Sequence, residues 1–348
     1  MVIQTATNLS NTAAADVVVI GAGPGGLSAG ITAAEMGNSV IILEKSPELG
    51  GNLALSPRVI STAALPKTNT DGISVDSGVN PDDNSIQRHI LHRSDNLDST
   101  SSPERNGVLD NQGALAALYS HNIKLTWSWL SKMGLVFFPL TYATSSTAPQ
   151  SQVSLPNSGS YLRQMVKEIN QKQIRVFTDA RAIGLSTLNG RVNGVEVDFL
   201  YQDRELDPDR DVLVIKAARG VVIATGDFSS NASLKHQLLD GTSAYVSGVN
   251  PSSTGDGHIM ARQLGGVIRN AGGVWGPELR FSHYDHLPKV HQPPRWFKST
   301  ALRRLCMWCL PKVLFHRAMM SSLIESTTPS LAAVEYGAKL IDDGGAGR

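Results

Sequence analysis

A glycine-rich turn between a strand and a helix constrains this chain more than any other stretch. Residues 16–20 read DVVVI, a short β-branched apolar run that is typical of a strand buried in a parallel sheet. The turn GAGPGG follows at 21–26, and an alanine-rich segment then predicts a helix that Gly37 ends. A second apolar run, 39–43, predicts another strand, with Glu44 at its carboxyl end. This order predicts a βαβ unit.

The spacing within this unit is typical of a dinucleotide site. Gly21 permits a tight turn, Gly23 lets the backbone approach a diphosphate, and Gly26 lets the helix pack closely on the strand. The amino terminus of the helix then faces the phosphates. Glu44 stands where a carboxylate can accept hydrogen bonds from ribose hydroxyls, and it would repel the 2′-phosphate of NADP. The pattern alone does not separate a flavin from a nicotinamide, and a structural βαβ unit without a ligand is the remaining alternative.

The residues after the second strand carry a family resemblance. Residues 44–52 read EKSPELGGN. This segment is similar to the E-K-x-x-x-x-G-G-N segment of FAD-dependent oxidoreductases of the succinate dehydrogenase and fumarate reductase flavoprotein type, whose relatives include the 3-ketosteroid dehydrogenases. The resemblance implies a resident FAD, with Gly50, Gly51, Asn52 and Ser56 close to it.

Later segments resemble the same family in the same order. Residues 159–162 begin a predicted helix, and residues 174–180 predict a strand. Residues 188–197 read as two strands around an Asn-Gly hairpin turn. The resemblance would place backbone near Ala180 against the adenine.

Two further segments extend the resemblance. Residues 219–231 are similar to the family's VVLATGGFxxN and predict a buried strand followed by a turn of small residues. Asp227 replaces the second glycine of that family pattern. A carboxylate near a diphosphate is unfavourable, so Asp227 is expected to point away or to change the turn; an exposed turn residue is the bland interpretation. Residues 253–266 are similar to the family's TGDGhxMAxxxGA and predict a turn that leads into a helix.

Together the spacing and the resemblance predict a set of FAD-binding residues. They are Gly21, Gly23, Pro24, Gly25, Gly26, Glu44, Lys45, Gly50, Gly51, Asn52, Ser56, Ala180, Ala224, Thr225, Gly226, Gly255 and Asp256. The sequence identifies no catalytic residue and no metal site. The polar residues of 280–286 (Arg280, His283, Tyr284 and His286) are candidates for proton transfer, but a polar surface loop is the favoured interpretation. Cys306 and Cys309 are interpreted as helix packing.

The predicted fold class is α/β. A Rossmann-like FAD-binding domain is expected over residues 1–269, with residues 66–113 as a polar surface excursion. An inserted, incomplete α+β capping domain is expected over residues 270–348. The segment 123–134 has helical apolar spacing and a glycine stop, and its two tryptophans are interpreted as core packing rather than as the lining of a substrate cavity.

Composition and charge limit the kinds of partner that the chain is expected to bind. Of 348 residues, 31 are Lys or Arg and 30 are Asp or Glu, which gives a net charge of +1 and argues against a nucleic-acid partner. The chain has two cysteines, no signal-peptide pattern and no long apolar run, so a cytoplasmic location is expected. The basic, apolar stretch 286–324 favours a solvated cap helix, with contact to a membrane surface or a lipophilic small-molecule substrate as the alternative.

The resemblance implies an FAD-dependent oxidoreductase that transfers a hydride between flavin and a C–C bond next to a carbonyl or carboxylate. Residues 331–337 hold no Arg where fumarate reductases carry their acid, which disfavours fumarate as the substrate. One alternative is a truncated, catalytically silent flavin-binding fragment, because family members continue beyond the pattern at 336–348. A nicotinamide-linked dehydrogenase that uses only the first βαβ unit is the other.

Overall fold

The computed structural model describes part of the chain, in two compact units. The described residues are 3–5, 13–55, 59–61, 112–140, 151–155, 159–199, 213–239, 241–248, 250–269 and 271. The first unit comprises residues up to 55 and from 162 to 277, and the second comprises residues 56–161 and 278–348. The predicted boundary at 269/270 and the predicted capping domain stay predictions.

Ten strands and five α-helices are formed by the described residues. The strands are β1 (Ile3–Thr5), β2 (Ala14–Ile20), β3 (Val40–Leu43), β4 (Val59–Ser61), β5 (Val136–Leu140), β6 (Ser151–Leu155), β7 (Arg175–Thr178), β8 (Ala180–Leu188), β9 (Arg191–Phe199) and β10 (Leu213–Ile223). The helices are α1 (Pro24–Glu35), α2 (Gln112–Lys132), α3 (Gly159–Gln171), α4 (Ala232–Leu238) and α5 (Asp256–Gln263). Short 3₁₀ helices span Gly51–Leu55 and Gly241–Ala244.

The first unit is built on a seven-stranded mixed sheet in the order β1-β7-β3-β2-β10-β9-β8. Strands β1, β7, β3, β2 and β10 are parallel, whereas β9 pairs antiparallel with both β10 and β8. The predicted α/β class is confirmed at this level. The carboxyl ends of the parallel strands share one edge of the sheet, where open α/β sheets place their ligands.

The central strands are buried on both faces, as their unbroken apolar runs predict. Val18 and Val19 on β2 point to opposite faces, and both are 0% exposed. Leu27 and Ile31 of α1 are also 0% exposed. Val18 belongs to a core cluster on its face of the sheet. Met260 of α5 packs in this cluster with residues of β2, β3, β8, β9 and β10.

The carboxyl end of β10 differs from its prediction. Its sequence predicts a buried strand, but Val222 and Ile223 are 37% and 40% exposed. The register of β10 on β2 shifts between Ala217 and Gly220, and the last residues of the strand lead into a turn at the sheet edge. Apolar character therefore predicted the strand correctly and its burial wrongly.

The predicted hairpin between β8 and β9 is confirmed. Asn189 and Gly190 have φ angles of 52° and 75°. Positive φ at both central residues is the requirement of a type I′ turn, which Asn-Gly meets at low cost.

The second unit combines α2 with a three-stranded antiparallel sheet in the order β4-β6-β5. The helix predicted over 123–134 is confirmed and begins earlier, at Gln112. The ring of Trp127 lies 6.0 Å from that of Phe137, and Phe137 lies 6.2 Å from Tyr161. These contacts favour packing as the role of Trp127. Burial raises the pKa of the Tyr161 hydroxyl, so it stays protonated at neutral pH. Of the helices in the described residues, none has the length and apolar character to cross a membrane.

Candidate cofactor site

The first glycine of the βαβ turn is confined by the strands on either side. The Gly21 amide donates to the Leu43 carbonyl at 2.7 Å. A Cβ on Gly21 would lie 2.5 Å from the carbonyl oxygen of Ala224, and the φ of Gly21 is +100°. Both the backbone angle and the space therefore require glycine here.

Helix α1 begins tightly packed on this turn. Gly23 is its N-cap residue, and Pro24 is its first helical residue. A Cβ on Gly26 would lie 1.8 Å from the Gly21 carbonyl oxygen. By contrast, a Cβ on Gly23 or Gly25 would have nothing within 4 Å. The amino terminus of α1 therefore presents backbone, and the positive end of its dipole, to open space.

A second glycine turn lies against the first. The Gly50 amide donates to the Ala22 carbonyl at 2.9 Å. Gly50 and Gly51 have φ angles of +116° and +49°, and a Cβ on Gly51 would lie 3.5 Å from the Gly23 Cα. The two turns thus bring bare backbone together, because they follow the carboxyl ends of the neighbouring parallel strands β2 and β3.

A third turn follows β10. The Ala224 amide donates to the Ile20 carbonyl at 2.8 Å, which places this turn beside the end of β2. Gly226 has a φ of +78°, and a Cβ there would meet nothing within 4 Å. The Thr225 hydroxyl accepts from the Gly257 amide at 3.2 Å and so connects the turn to the start of α5. We call Gly23, Gly25, Gly51 and Gly226 the glycine surface.

Glu44 is buried at the end of β3, and its carboxylate accepts hydrogen bonds from backbone amides. It is 8% exposed. Its Oε2 accepts from the Ala22 amide at 2.7 Å, and its Oε1 accepts from the Ser46 amide at 2.8 Å. Each carboxylate oxygen has a second lone pair, so these bonds leave room for the predicted ribose contact. The Ala180 amide donates to the Glu44 carbonyl at 2.9 Å, which sets the predicted adenine-side residue beside it.

Lys45 and Asp256 belong to a charge cluster that sequence reasoning did not find. Lys45 Nζ lies 2.9 Å from Asp256 Oδ2, and the Arg181 guanidinium lies 3.0 Å from Asp256 Oδ1. The Thr254 hydroxyl accepts from Lys45 at 2.6 Å and donates to Asp256 at 3.0 Å. The cluster joins the segment that follows β3, the start of β8 and the start of α5.

The pKa of Asp256 reflects two opposed effects. Burial raises the pKa, but hydrogen bonds from Lys45 and Arg181, together with their positive charges, outweigh it and hold the pKa below its ordinary value of 3.8. Asp256 is therefore ionised at neutral pH. No local pattern marks Arg181, because its partner lies 75 residues away in the chain.

Gly255 and His258 show how closely α5 packs beside this cluster. Gly255 has a φ of +71°, and a Cβ there would lie 2.7 Å from the Phe228 Cβ. The His258 ring meets Phe228 edge-on at 5.4 Å, and its buried Nδ1 has no hydrogen-bond partner among the described residues. The predicted Gly-Asp-Gly turn and the helix after it are confirmed.

Asp227 is exposed and hydrogen-bonded. Its Oδ2 accepts from Asn52 Nδ2 at 3.0 Å, and its Oδ1 accepts from the Ser229 amide at 2.9 Å. Asn250 donates to the Asn52 side-chain oxygen at 2.6 Å. The sequence predicts that Asp227 points away from a bound diphosphate or changes the turn. The structure places its carboxylate against Asn52, the residue that follows Gly51.

Comparison with known proteins decides the family. Residues 16–281 match the family described as FAD binding domain. The chain belongs to this FAD-binding family. Its cofactor is FAD.

The relatives are oxidoreductases. The NADH:fumarate oxidoreductase of Klebsiella pneumoniae strain 342 is 24% identical over 83% of this chain and 27% of that protein. The fumarate reductase (cytochrome) of Shewanella frigidimarina is 25% identical over 73% of this chain and 40% of that protein. The chain thus spans from 27% to 40% of the length of these curated relatives.

A solved structure shares the fold. The 3-ketosteroid-Δ4-(5α)-dehydrogenase of Rhodococcus jostii RHA1 superimposes with a TM-score of 0.54 at 21% identity, covering 76% of this chain and 57% of that one. At this identity the likeness concerns the fold alone. It agrees with the mixed sheet and helices of the first unit.

The residues of the FAD-binding chain fit the cofactor. On the glycine surface, a Cβ on Gly23, Gly25 or Gly226 would meet nothing within 4 Å, and the surface includes the amino terminus of α1. A diphosphate needs such close access to backbone amides. The contact of each predicted residue with FAD stays a prediction.

Some predicted residues lie outside the described part of the chain. These are Ser56, the 280–286 group, the two cysteines and the basic stretch 286–324. Among the residues that are described, no group of three His, Cys, Asp or Glu side chains is arranged to hold a metal ion.

Proposed function

We propose that the chain is an FAD-dependent oxidoreductase that transfers a hydride between flavin and a C–C bond next to a carbonyl or carboxylate. The observation that carries the proposal is the glycine surface at the sheet edge, within a segment that matches the FAD binding domain. Flavin cofactors supply redox chemistry, while the protein supplies position and charge. The oxidoreductase relatives favour this function over a silent fragment.

The proposed roles follow from the positions of the residues. The backbone of the glycine surface would hold the diphosphate, and Glu44 would hold the Gly21–Gly26 turn in place while facing the ribose. Ala180 would lie on the adenine side. Lys45 and Asp256 would act through the charge cluster that fixes α5 beside the site. FAD, when bound, supplies the hydride donor or acceptor.

The substrate class is proposed from what the relatives share. Fumarate and a 3-ketosteroid both carry a C–C bond conjugated to, or beside, a carbonyl or carboxylate. We expect a small molecule of this kind. A lipophilic substrate and membrane-surface contact through 286–324 remain predictions, as does a cytoplasmic location.

The first test is the visible absorbance spectrum of the purified chain before and after denaturation. Flavin in a near-equal ratio to protein, or regained on adding FAD, supports the proposal. Gly23→Ala is the matched variant, because its methyl group meets only open space in the protein but would meet a bound diphosphate. It should fold normally and bind FAD about tenfold or more weakly. Binding of NADH without any flavin would overturn the proposal.

A turnover assay separates the oxidoreductase from a silent flavin-binding fragment. The FAD-loaded chain is reduced chemically and mixed with fumarate or with an unsaturated 3-ketosteroid. Reoxidation of the flavin with formation of the saturated product supports hydride transfer. Tight FAD binding with no reoxidation by any such acceptor would favour the silent fragment.

A further inference from the structure

One carboxylate beside the glycine surface has no positive partner among the residues that the structure describes. Asp227 directly follows Gly226, and its carboxylate accepts from Asn52, which directly follows Gly51. Its other oxygen accepts from the Ser229 amide. These donors are neutral, and Asp227 forms no ion pair with any residue that the structure describes.

Asp256, unlike Asp227, has positively charged partners among the described residues. Its carboxylate is balanced by Lys45 and Arg181 at 2.9 and 3.0 Å. Asp227 instead lies in an exposed position and accepts from neutral donors. It also occupies the side-chain amide of Asn52, whose oxygen is in turn held by Asn250. One of the two N–H donors of the Asn52 side chain is therefore used by Asp227.

We propose that Asp227 sets the affinity of this chain for FAD and keeps it weaker than the glycine surface alone would allow. The inference rests on the proposed binding of the FAD diphosphate at that surface. Like charges repel, and the repulsion between exposed charges is screened as salt is added. Asp227 also takes up one of the two N–H donors of the Asn52 side chain. The carboxylate thereby favours an exchangeable cofactor.

The test compares Asp227→Asn with Asp16→Asn by FAD titration, followed through flavin fluorescence at low and high salt. Both substitutions remove one negative charge. Asp16 lies near the amino end of β2, at the opposite edge of the sheet from the glycine turns, where it bonds to Ser39. Asp227→Asn keeps one side-chain oxygen as an acceptor. The unfolding midpoint of each apoprotein checks that the fold is kept.

We expect Asp227→Asn to bind FAD about three- to tenfold more tightly at low salt, with the gap closing as salt rises. Asp16→Asn should bind as the unchanged chain does. Asn52→Ala, which keeps the carboxylate but removes its donor, should bind no more tightly. If Asp227→Asn binds FAD equally well or more weakly while the unchanged chain binds, this inference alone is overturned. If neither the unchanged chain nor Asp227→Asn binds FAD, the proposed function fails as well.

Discussion

Gly25 and Gly26 are neighbours in the sequence, yet their surroundings are opposite. Gly26 is pressed against the Gly21 carbonyl, whereas Gly25 faces open space. We predict that Gly26→Ala lowers the free energy of unfolding by about 2 to 4 kcal/mol, because the helix must move off the strand. Urea denaturation of the apoprotein measures this.

The matched control is Gly25→Ala. With no clash and no positive φ, it should change the free energy of unfolding by no more than about 1 kcal/mol, in the stabilising direction. Its methyl group should still weaken FAD binding. Equal destabilisation by the two variants would contradict the packing described for Gly26.

The Asp256 carboxylate forms ion pairs with two positive side chains. Asp256→Asn would leave Lys45 and Arg181 without their carboxylate, so we predict a loss of about 1 to 3 kcal/mol at neutral pH. The folded-state pKa of Asp256 is held below 3.8. The ionised carboxylate therefore stabilises the protein above that pH, and this contribution is lost as the pH falls through the folded-state pKa.

Urea unfolding of the unchanged chain and of Asp256→Asn across a pH series checks this sign. The difference between the two chains should be full at neutral pH and should shrink in acid below the ordinary carboxyl pKa. A difference that stays constant into acid would show that packing, rather than the ion pairs, explains the loss.

At the scale of elements, α4 depends on Asn231 at its amino end. The Asn231 side-chain oxygen accepts from the Leu234 amide at 3.0 Å, and its amide group donates to the Thr254 carbonyl at 2.8 Å. It thus caps α4 and ties it to the segment before α5. We predict that Asn231→Ala costs about 1 to 2 kcal/mol of unfolding free energy.

Asn231→Asp separates the two contacts. It retains an oxygen for the cap and loses the donor to Thr254, so thermal unfolding should place it between Asn231→Ala and the unchanged chain. If Asn231→Asp is as unstable as Asn231→Ala, the tie to Thr254 is the dominant contact and the cap contributes little.

For the molecule as a whole, FAD should stabilise the first unit selectively. Ligand that binds only the folded state adds about 2.7 kcal/mol at a hundredfold excess over its Kd. Hydrogen exchange with and without FAD should show slower exchange at the amino terminus of α1, in 50–55 and in 224–227. The Asn189–Gly190 turn serves as the internal control, and slowing there of equal size would contradict the proposed site.

Much of the fold could be predicted because its signals are local. The β-branched run before Gly21, the Asn-Gly pair at 189–190 and the Gly-Asp-Gly turn before α5 each act through a few neighbouring residues. The start of β10 at Leu213 and the exposure of Ile223 could not be predicted in this way. They depend on which strand lies beside β10 and on what covers its end.

The sequence by itself determined the βαβ unit and the need for glycine at the tight turn, and its resemblance to a flavoprotein family made FAD the expected cofactor. Only the tertiary structure decided where the charges lie. It paired Asp256 with Arg181 and Lys45, set both oxygens of Glu44 on backbone amides, and bonded Asp227 to Asn52. The reason is physical: backbone conformation follows from neighbouring residues, whereas the partner of a charge is set by chain segments that meet only after folding.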